Sequence, residues 1–317
     1  MISVVIPSYN RRDGMLALLA DLSRQEGAEF EVIVVDDCSP DDSVEAIRRD
    51  FPKVKVLVNA KNAGPAVTRN RGIREATGEW IVGFDSDVTI PDPFLLAKIE
   101  ERFRVSGDVG LALRILKPDG KSEDTGRWWH PLPIDGHAEK EFHSSYFSGT
   151  AYAFQRDAVI GAGLFPEILY MHYEEVELAW RVLDNGGRIL HCPDLVAIHH
   201  ANNVSRRSEV EVFYKPRNQI LLAASCLTLT GAVRYLVPRT GFQFFKACTR
   251  GHPGDFLRAM RSAADILPKQ WQARKPLRRS TLATIKQLRN KDLNKISPID
   301  HSKNYHRERL AEGGHAN

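Results

Sequence analysis

The sequence has few cysteines and no cysteine pair at metal-binding spacing. The 317 residues contain four cysteines, Cys38, Cys192, Cys226 and Cys248, and no Cys-x-x-Cys motif. A reduced, cytoplasmic setting is the simplest explanation for scattered single cysteines, and a zinc site is not indicated.

Long apolar runs are also missing. The longest, residues 220–233, ends at Arg234 and is shorter than the roughly 20 residues that a membrane-spanning helix needs. The apolar start of the chain lasts only through Ile6 before Pro7, so we expect no signal peptide. No repeat period is visible, which sets solenoid folds aside.

Two glycine-rich phosphate-binding motifs are absent as well. No Gly-x-Gly-x-x-Gly follows the first apolar run, where Pro7 stands instead, and no Walker A sequence occurs. A phosphate ligand would therefore have to be held through a metal ion.

The composition is that of a globular chain with an uneven charge. Hydrophobic residues make up 43% of the sequence, and the length suggests about two domains. Residues 246–317 contain 16 Lys and Arg against 6 Asp and Glu, a balance of +10, whereas residues 1–245 contain 28 against 34, a balance of −6. A basic C-terminal region can be a solvated surface, a nucleic-acid patch or a surface for anionic lipid.

Short apolar runs alternate with segments of helical spacing through the first hundred residues. Predicted strands at 2–6, 30–35, 54–58 and 80–85 are each followed by a loop and a helix, a pattern typical of a mostly parallel sheet covered by helices. Ligands of such sheets bind beyond the carboxyl ends of the strands. The polar residues expected to converge there are Tyr9, Asp36, Asp37, Asn62, Asp85 and Asp87.

The segment Asp85-Ser86-Asp87 is the strongest candidate for chemistry. It directly follows an apolar strand, so both carboxylates reach one point at the sheet edge. Oxygen ligands of this kind hold hard divalent cations, which can bridge to a diphosphate.

Four ordered motifs resemble family-two glycosyltransferases of the GT-A fold. They are Val-Val-Ile-Pro-Ser-Tyr-Asn at 4–10, Val-Val-Asp-Asp-Cys-Ser at 34–39, Asn-Ala-Gly-Pro-Ala at 62–66 with Arg-Asn-Arg-Gly at 69–72, and Gly-Glu-Trp-Ile-Val-Gly-Phe-Asp-Ser-Asp at 78–87. The resemblance implies an α/β GT-A domain with a Rossmann-like, mostly parallel sheet and an α-helical C-terminal extension. It also implies an inverting, metal-dependent transfer of a sugar from a UDP- or dTDP-sugar to a hydroxyl.

The same resemblance implies roles for the donor site. Pro7 and Tyr9 correspond to the base pocket, and either Asp37 or Asp36 to a hydrogen bond with the pyrimidine edge. The other residues implied at the donor nucleotide are Asn10, Asn62, Arg69, Asp85 and Ser86.

Mg²⁺ or Mn²⁺ is the implied cofactor, with Asp87 and one histidine of His199-His200 as its ligands. We place His199 in the metal site, with His200 open because neighbouring residues of a strand point to opposite faces.

The acceptor side is less regular in sequence. A glycine after an apolar run, Gly149, resembles the small residue beside the donor sugar, and Trp128 and Trp129 in the 121–145 loop are candidates for stacking on a sugar. The acid pair Glu174-Glu175 begins a predicted helix, and the family's general base corresponds to Glu175. The family commonly has Asp there, so Glu174 and Glu177 remain alternatives.

The predicted organisation is a catalytic domain at 1–213, a helical extension at 214–273 and a basic, partly disordered tail at 274–317. The catalytic domain divides into a nucleotide-sugar half at 1–105 and an acceptor half at 106–213. Within the extension we predict helices at 220–237, 242–249 and 256–267.

The acceptor is expected to be a glycan, a lipid-linked molecule or a small molecule of bacterial polysaccharide or other glycoconjugate synthesis, and no nucleic-acid partner is expected. The extension either packs on the domain and on a second copy, or contacts the inner face of the cell membrane. Two alternatives to the transferase stay open: a sugar-nucleotide-binding or assembly protein of the same fold, and a nucleotidyltransferase.

Overall fold

The computed structural model describes residues 1–200 and 208–290 of the chain. Strands and helices alternate through its first part, as predicted. In order they are β1 (Ile2–Ser8), α1 (Arg12–Ser23), β2 (Phe30–Asp36), α2 (Ser43–Asp50), β3 (Lys55–Val58), α3 (Pro65–Glu75) and β4 (Trp80–Phe84).

The second part is less regular and ends in a helical region. The elements from residue 88 to residue 199 are β5 (Val88–Thr89), α4 (Leu95–Ser106), β6 (Gly110–Leu116), β7 (Phe142–His143), β8 (Ala151–Gln155), α5 (Arg156–Gly161), a 3-10 turn (Glu167–Leu169), α6 (Glu174–Asp184) and β9 (Ile189–His199). The helices that follow are α7 (Ser208–Cys226), α8 (Leu229–Thr249), α9 (Pro253–Ala273) and α10 (Arg279–Gln287).

One nine-stranded sheet organises the molecule, in the order β3-β2-β1-β4-β8-β6-β9-β5 with β7 paired to β9. The strands β3, β2, β1 and β4 run parallel, whereas β8 is antiparallel to both β4 and β6. The α/β fold class is therefore confirmed, with a parallel first half and a mixed second half. The parallel half brings the carboxyl ends of its strands to one edge.

The sheet is buried on both faces because alternate side chains of each central strand enter different cores. In β1, Val4 and Ile6 pack with Leu18 of α1, whereas Val5 packs with Ile73 of α3 on the other side. Two-sided burial explains why β1 and β4 read as continuous apolar runs rather than as alternating ones.

The C-terminal helices divide at different positions from those predicted. The break falls at residues 227–228, where Thr228 accepts a hydrogen bond from the Gly231 amide as an N-cap. Pro238 lies inside α8 and does not end it. The expected helices at 220–237 and 242–249 are thus replaced by α7 and the continuous α8.

The predicted domain boundaries stay predictions. The division after residue 213 falls inside α7, and the one after residue 273 coincides with the end of α9. The predicted tail begins with α10, whose Thr281 donates to Asp184 of α6, and its residues 291–317 lie outside the described residues.

Hydrogen bonds from a side chain of α7 hold the segment that leads into α6. The buried Asn218 amide donates to the carbonyls of Leu169, Met171 and His172 at 2.7–2.9 Å. Tyr170, His172 and Tyr173 in this segment have positive φ, which side chains other than glycine rarely adopt. Surrounding contacts must therefore hold the segment in place.

We expect Asn218→Ala to lower the free energy of unfolding by about 1–3 kcal/mol, because buried carbonyls would lose their donor. Urea denaturation measures the loss. Asn185→Ala is the matched control, since the exposed Asn185 makes one such bond, to the Gly161 carbonyl. An equal loss in both variants would contradict the bracing role.

Candidate active site

A cavity of about 550 Å³ opens at the carboxyl edge of the parallel strands. Most of the residues predicted for the site line it: Pro7, Tyr9, Asp37, Asn62, Arg69, Asp85, Ser86, Asp87, Trp129, Glu174 and Glu175. Its volume suits a ligand of a few hundred daltons or more. The expected convergence of strand ends is therefore present for all but one of the residues named for it.

Asp36 is that exception. Its carboxylate faces Ser39 and accepts hydrogen bonds from the amide and the hydroxyl of that residue. Asn10, also predicted, has φ of 51° and donates its amide to the Ser39 hydroxyl, and it lines a neighbouring depression. Both residues shape the loops beside the cavity.

Trp128 also lies apart from the cavity. Its ring nitrogen donates to the Leu132 carbonyl, and its ring packs edge-on against His130 and His191. Trp129, by contrast, faces the cavity, where its ring lies near Tyr146 and 5.7 Å from the Lys215 ammonium. The two adjacent tryptophans thus have different surroundings.

Asp37 anchors the loop before α3. It accepts hydrogen bonds from the amides of Ala63 and Gly64 and from the side chain of Asn59, at 2.7–2.9 Å. A carboxylate is favourable near a helix N-terminus, where backbone N–H groups lack intrahelical partners. Asp37 also borders the cavity, so of the two adjacent aspartates it is the one placed to meet a ligand.

Asp85 is fixed by two donors. Arg69 Nη2 lies 2.8 Å from Asp85 Oδ1, and the Thr150 hydroxyl donates to Oδ2 at 3.1 Å. Burial opposes ionisation of Asp85, but Arg69, Arg127 and His199 together outweigh it and hold the pKa of this carboxyl below its ordinary value. Asp85 therefore has a fixed orientation and a negative charge.

Asp87 and His199 form the second polar group of this edge. His199 Nε2 lies 3.6 Å from Asp87 Oδ1, and its Nδ1 lies 2.7 Å from Asp124 Oδ2. A proton on Nδ1, donated to Asp124, leaves Nε2 as an acceptor, and Arg127 Nη2 lies 3.1 Å from it. His200, the other histidine of the pair, is exposed and bonds to Thr89 instead.

The Asp87 carboxyl lies in an unfavourable environment for a negative charge. Burial and then the charge of Asp85 raise its pKa, although His199 and Arg11 act in the opposite direction. A bound cation would relieve this repulsion. Within residues 1–200 and 208–290, no group of three or more His, Cys, Asp or Glu side chains is placed to hold a metal ion.

The sequence analysis missed several residues of this edge. Asp124 and Arg127 come from the 121–145 loop, and Arg127 Nη2 lies 3.1 Å from His199 Nε2. Gly14 of α1 is another, because a Cβ there would lie 2.7 Å from the Ser86 carbonyl oxygen. No local pattern marks these positions, since each contact joins residues more than 70 apart in the chain.

The acid pair at the start of α6 lies at the other end of the cavity. Glu174 is 3% exposed in the fold and has its carboxylate 3.6 Å from Arg69 Nη1, whereas Glu175 is half-buried. Burial, followed by the charge of Glu175, raises the pKa of Glu174 well above its ordinary value, although Arg69 acts against the shift. Glu175 is the more accessible acid.

The remaining alternative, Glu177, lies outside this cavity and pairs with Arg181 at 3.3 Å.

Gly149 determines the space available to Glu175. A Cβ at this position would lie 2.5 Å from Glu175 Oε1 and 2.9 Å from Arg69 Nη2, and both are closer than real side-chain contacts. The Gly149 carbonyl also accepts from Arg69 at 3.3 Å. A larger residue at this position would therefore displace the Glu175 carboxylate or the Arg69 guanidinium.

Comparison with known sequences gives one family. The family model described as Glycosyl transferase family 2 matches residues 3–161, half of the chain. The succinoglycan biosynthesis protein ExoO of Rhizobium meliloti is 32% identical over 123 residues, which are 38% of this chain and 35% of that protein. The segment that this chain matches covers 34% to 38% of the length of each of three curated relatives, of which ExoO is one.

Solved structures with the same fold have low sequence identity. Staphylococcus aureus TarS 1-349 in complex with UDP-GlcNAc superimposes with a TM-score of 0.58 and 20% identity, over 92% of this chain and 82% of that one. The mannosyltransferase PcManGT from Pyrobaculum calidifontis, in complex with GDP-Man and Mn²⁺, gives 0.55 and 20%, over 91% and 84%. These structures confirm the expected GT-A architecture.

We expect Glu174→Gln to change the pH dependence of stability. The pKa of Glu174 is higher in the folded chain than its ordinary value of 4.5, so its contribution to folding is complete below that value and is lost as pH rises through the folded-state pKa. The variant stays neutral, and its stability relative to wild type should rise over this range by at most about 1.4 kcal/mol per pH unit.

Urea denaturation between pH 4 and pH 8 measures this difference. Glu79→Gln provides the control because Glu79 is exposed. A difference between Glu174→Gln and wild type that is constant with pH would contradict the raised pKa.

Proposed function

The chain belongs to glycosyl transferase family 2, and from that premise we propose that it is an inverting, metal-dependent glycosyltransferase that moves a sugar from a UDP- or dTDP-sugar to a hydroxyl acceptor. One observation carries the proposal. A single cavity has Asp85 and Asp87 at the strand ends on one side and the acid pair Glu174-Glu175 on the other. Such a cavity can hold a diphosphate at one end and an acceptor hydroxyl at the other.

The donor nucleoside is assigned to the β1 and β2 end of the cavity. Tyr9 is 48% exposed and offers its ring to a base, beside Pro7. Asp37 and Asn62 supply oxygen atoms at the same end, and the oriented Asp85 faces the ribose or the donor sugar. A pyrimidine base is proposed because the motifs that place Asp37 correspond to the pyrimidine edge.

The residues near Asp87 fit a divalent ion. Asp124 holds Nδ1 of His199, the arrangement in which a second carboxylate orients a histidine ligand. Arg127, 3.1 Å from Nε2, would have to turn away for this nitrogen to bind an ion. Asp87 and His199 would hold Mg²⁺ or Mn²⁺, with phosphate oxygens completing its coordination. The ion would stabilise the negative charge that develops on the leaving diphosphate.

Glu175 is proposed as the general base. It takes the proton from the acceptor hydroxyl as that oxygen forms a bond to the anomeric carbon, while the bond from this carbon to the diphosphate oxygen breaks on the opposite face. One displacement then inverts the configuration and releases a nucleoside diphosphate. Glu174, which is buried against Arg69, positions Glu175 and the arginine rather than contacting the acceptor.

The acceptor is assigned to the side of the cavity bordered by Trp129 and Lys215. A tryptophan face is a common platform for a sugar ring. We propose a glycan, lipid-linked or small-molecule acceptor of polysaccharide or other glycoconjugate synthesis, with a hexosyl or rhamnosyl donor. The enzyme would work in the cytoplasm or at the inner face of the cell membrane, which its basic C-terminal helices would contact.

The test of function is transfer from a panel of nucleotide sugars, followed by product analysis. Released nucleoside diphosphate supports transfer, released pyrophosphate would indicate a nucleotidyltransferase, and binding without either product would indicate a binding protein.

We expect Glu175→Gln to lower the transfer rate by about 10²–10⁴-fold with donor binding retained, because a general base contributes on that order. Donor binding is followed by thermal shift. Glu101→Gln, an exposed site on α4, is the control. Near wild-type transfer by folded Glu175→Gln would reject the base assignment.

We expect Asp124→Asn to weaken Mn²⁺ binding by about 10–100-fold, because partners that orient a metal ligand contribute on that scale. A thermal-shift titration of MnCl₂ at fixed UDP measures the change without depending on turnover. His200→Ala is the control and should retain wild-type binding. Unchanged Mn²⁺ binding in Asp124→Asn would remove His199 from the proposed metal site.

A further inference from the structure

Seven large apolar side chains of α8 and the start of α9 are exposed. We call this group the α8 surface, and its members are each 46% to 68% exposed: Leu229, Val233, Val237, Phe242, Phe244, Phe245 and Leu257. They are half of the fourteen large apolar side chains that are exposed among the described residues. Exposed apolar side chains grouped in this way mark interaction sites.

The spacing along α8 accounts for this surface. Leu229, Val233 and Val237 follow one another at intervals of four, so they occupy one side of the helix. The buried residues of α8 are Ala232, in one cluster with Leu227 and Leu277, and Ala247, in another with Val212 and Phe256. The exposed part of α8 thus carries large apolar side chains beside the exposed Arg234, whereas the outer face of an ordinary surface helix is polar.

The charge around this surface is almost entirely positive. Residues 227–290 contain 13 Lys and Arg against 2 Asp, a balance of +11. Helix α8 itself carries Arg234, Arg239 and Lys246 and no acidic residue. An apolar face with phenylalanines and a basic surround has the chemistry of a helix that lies in the interface of an anionic membrane.

We propose that the α8 surface docks the protein on an anionic lipid bilayer. The charge favours lipid over a second copy of this chain, because a symmetric contact would bring two strongly positive segments together, whereas anionic head groups attract them. Among the described residues no helix is both long and apolar enough to cross a membrane. Docking would therefore be interfacial, with the aromatic side chains at the head-group level.

The C-terminal end of α8 lies beside the cavity. Glu211 of α7 borders the cavity and pairs with Arg250, at the end of α8, with 3.1 Å between Nη1 and Oε2. Val212, the next residue of α7, packs in one cluster with Ala247 and Phe256. Docking would place the acceptor side of the cavity near lipid head groups, so we infer a lipid-linked acceptor. This last inference rests on the proposed function, whereas docking does not.

Vesicle flotation of the full-length protein tests the proposal. The vesicles contain phosphatidylcholine alone or phosphatidylcholine with one part in three of phosphatidylglycerol. Wild type should float with the anionic vesicles and less so in high salt, which screens the head-group charge. The variant Val237→Ser/Phe242→Ser/Phe245→Ser should partition at least about tenfold more weakly, because binding scales with the apolar area inserted.

Three controls make the outcome specific. Val105→Ser removes an exposed apolar side chain from α4 and should float as wild type does. The triple variant should keep the UDP- and MnCl₂-dependent thermal shift, which shows that it is folded. Asp87→Ala should lose transfer and still float, so that failure of the catalytic proposal and failure of docking are distinguishable.

Three results would overturn the proposal. The first is flotation of the triple variant equal to that of wild type, and the second is no flotation of wild type. The third is a wild-type dimer by light scattering that the triple variant converts to a monomer, which would identify the α8 surface as an interface between copies. Transfer to a water-soluble acceptor analogue but not to a lipid-linked one would refute the acceptor inference alone.

Discussion

The site depends on the ion pairs and hydrogen bonds of the buried Arg69 guanidinium. This group lies between Asp85, at the end of β4, and Glu174, at the start of α6, and it also reaches the Gly149 carbonyl. A buried positive charge is costly unless such partners surround it. Burial acts against the charged form, but the nearby carboxylates together raise the pKa of Arg69 and keep it charged. One cation thus joins the strand-end side of the cavity to the side that carries the acid pair.

Because of this arrangement, the two members of each carboxylate pair have different surroundings. In the first, Asp85 faces Arg69 and Thr150, which leaves Asp87 with His199. In the second, Glu174 is buried and Glu175 faces the open cavity. In the first pair Asp85 is held by Arg69 while Asp87 lies near His199 and Arg11, and in the second pair Glu175 is the more exposed acid. The proposed division into ribose, metal, positioning and base roles follows this geometry.

The C-terminal helices serve the site in two ways. Asn218 of α7 braces the strained segment before α6, and Glu211 of the same helix borders the cavity. The outer side of α8, by contrast, is apolar and basic and faces solvent. The C-terminal helices therefore hold the segment before the acid pair in place and also present a surface suited to lipid. The proposed lipid-linked acceptor would relate this surface to the cavity.

The sequence by itself determined the α/β fold, the strand ends that carry Asp37, Asp85 and Asp87, and the place of the acid pair, because these features depend on local patterns of apolar and polar residues. It did not determine which member of each pair is accessible, nor the helix break at 227–228. The contact of Asp124 with His199 also required the tertiary structure, since it joins a loop without local pattern to a strand 75 residues away. Packing decides such choices, because burial and partner distance are properties of the folded chain alone.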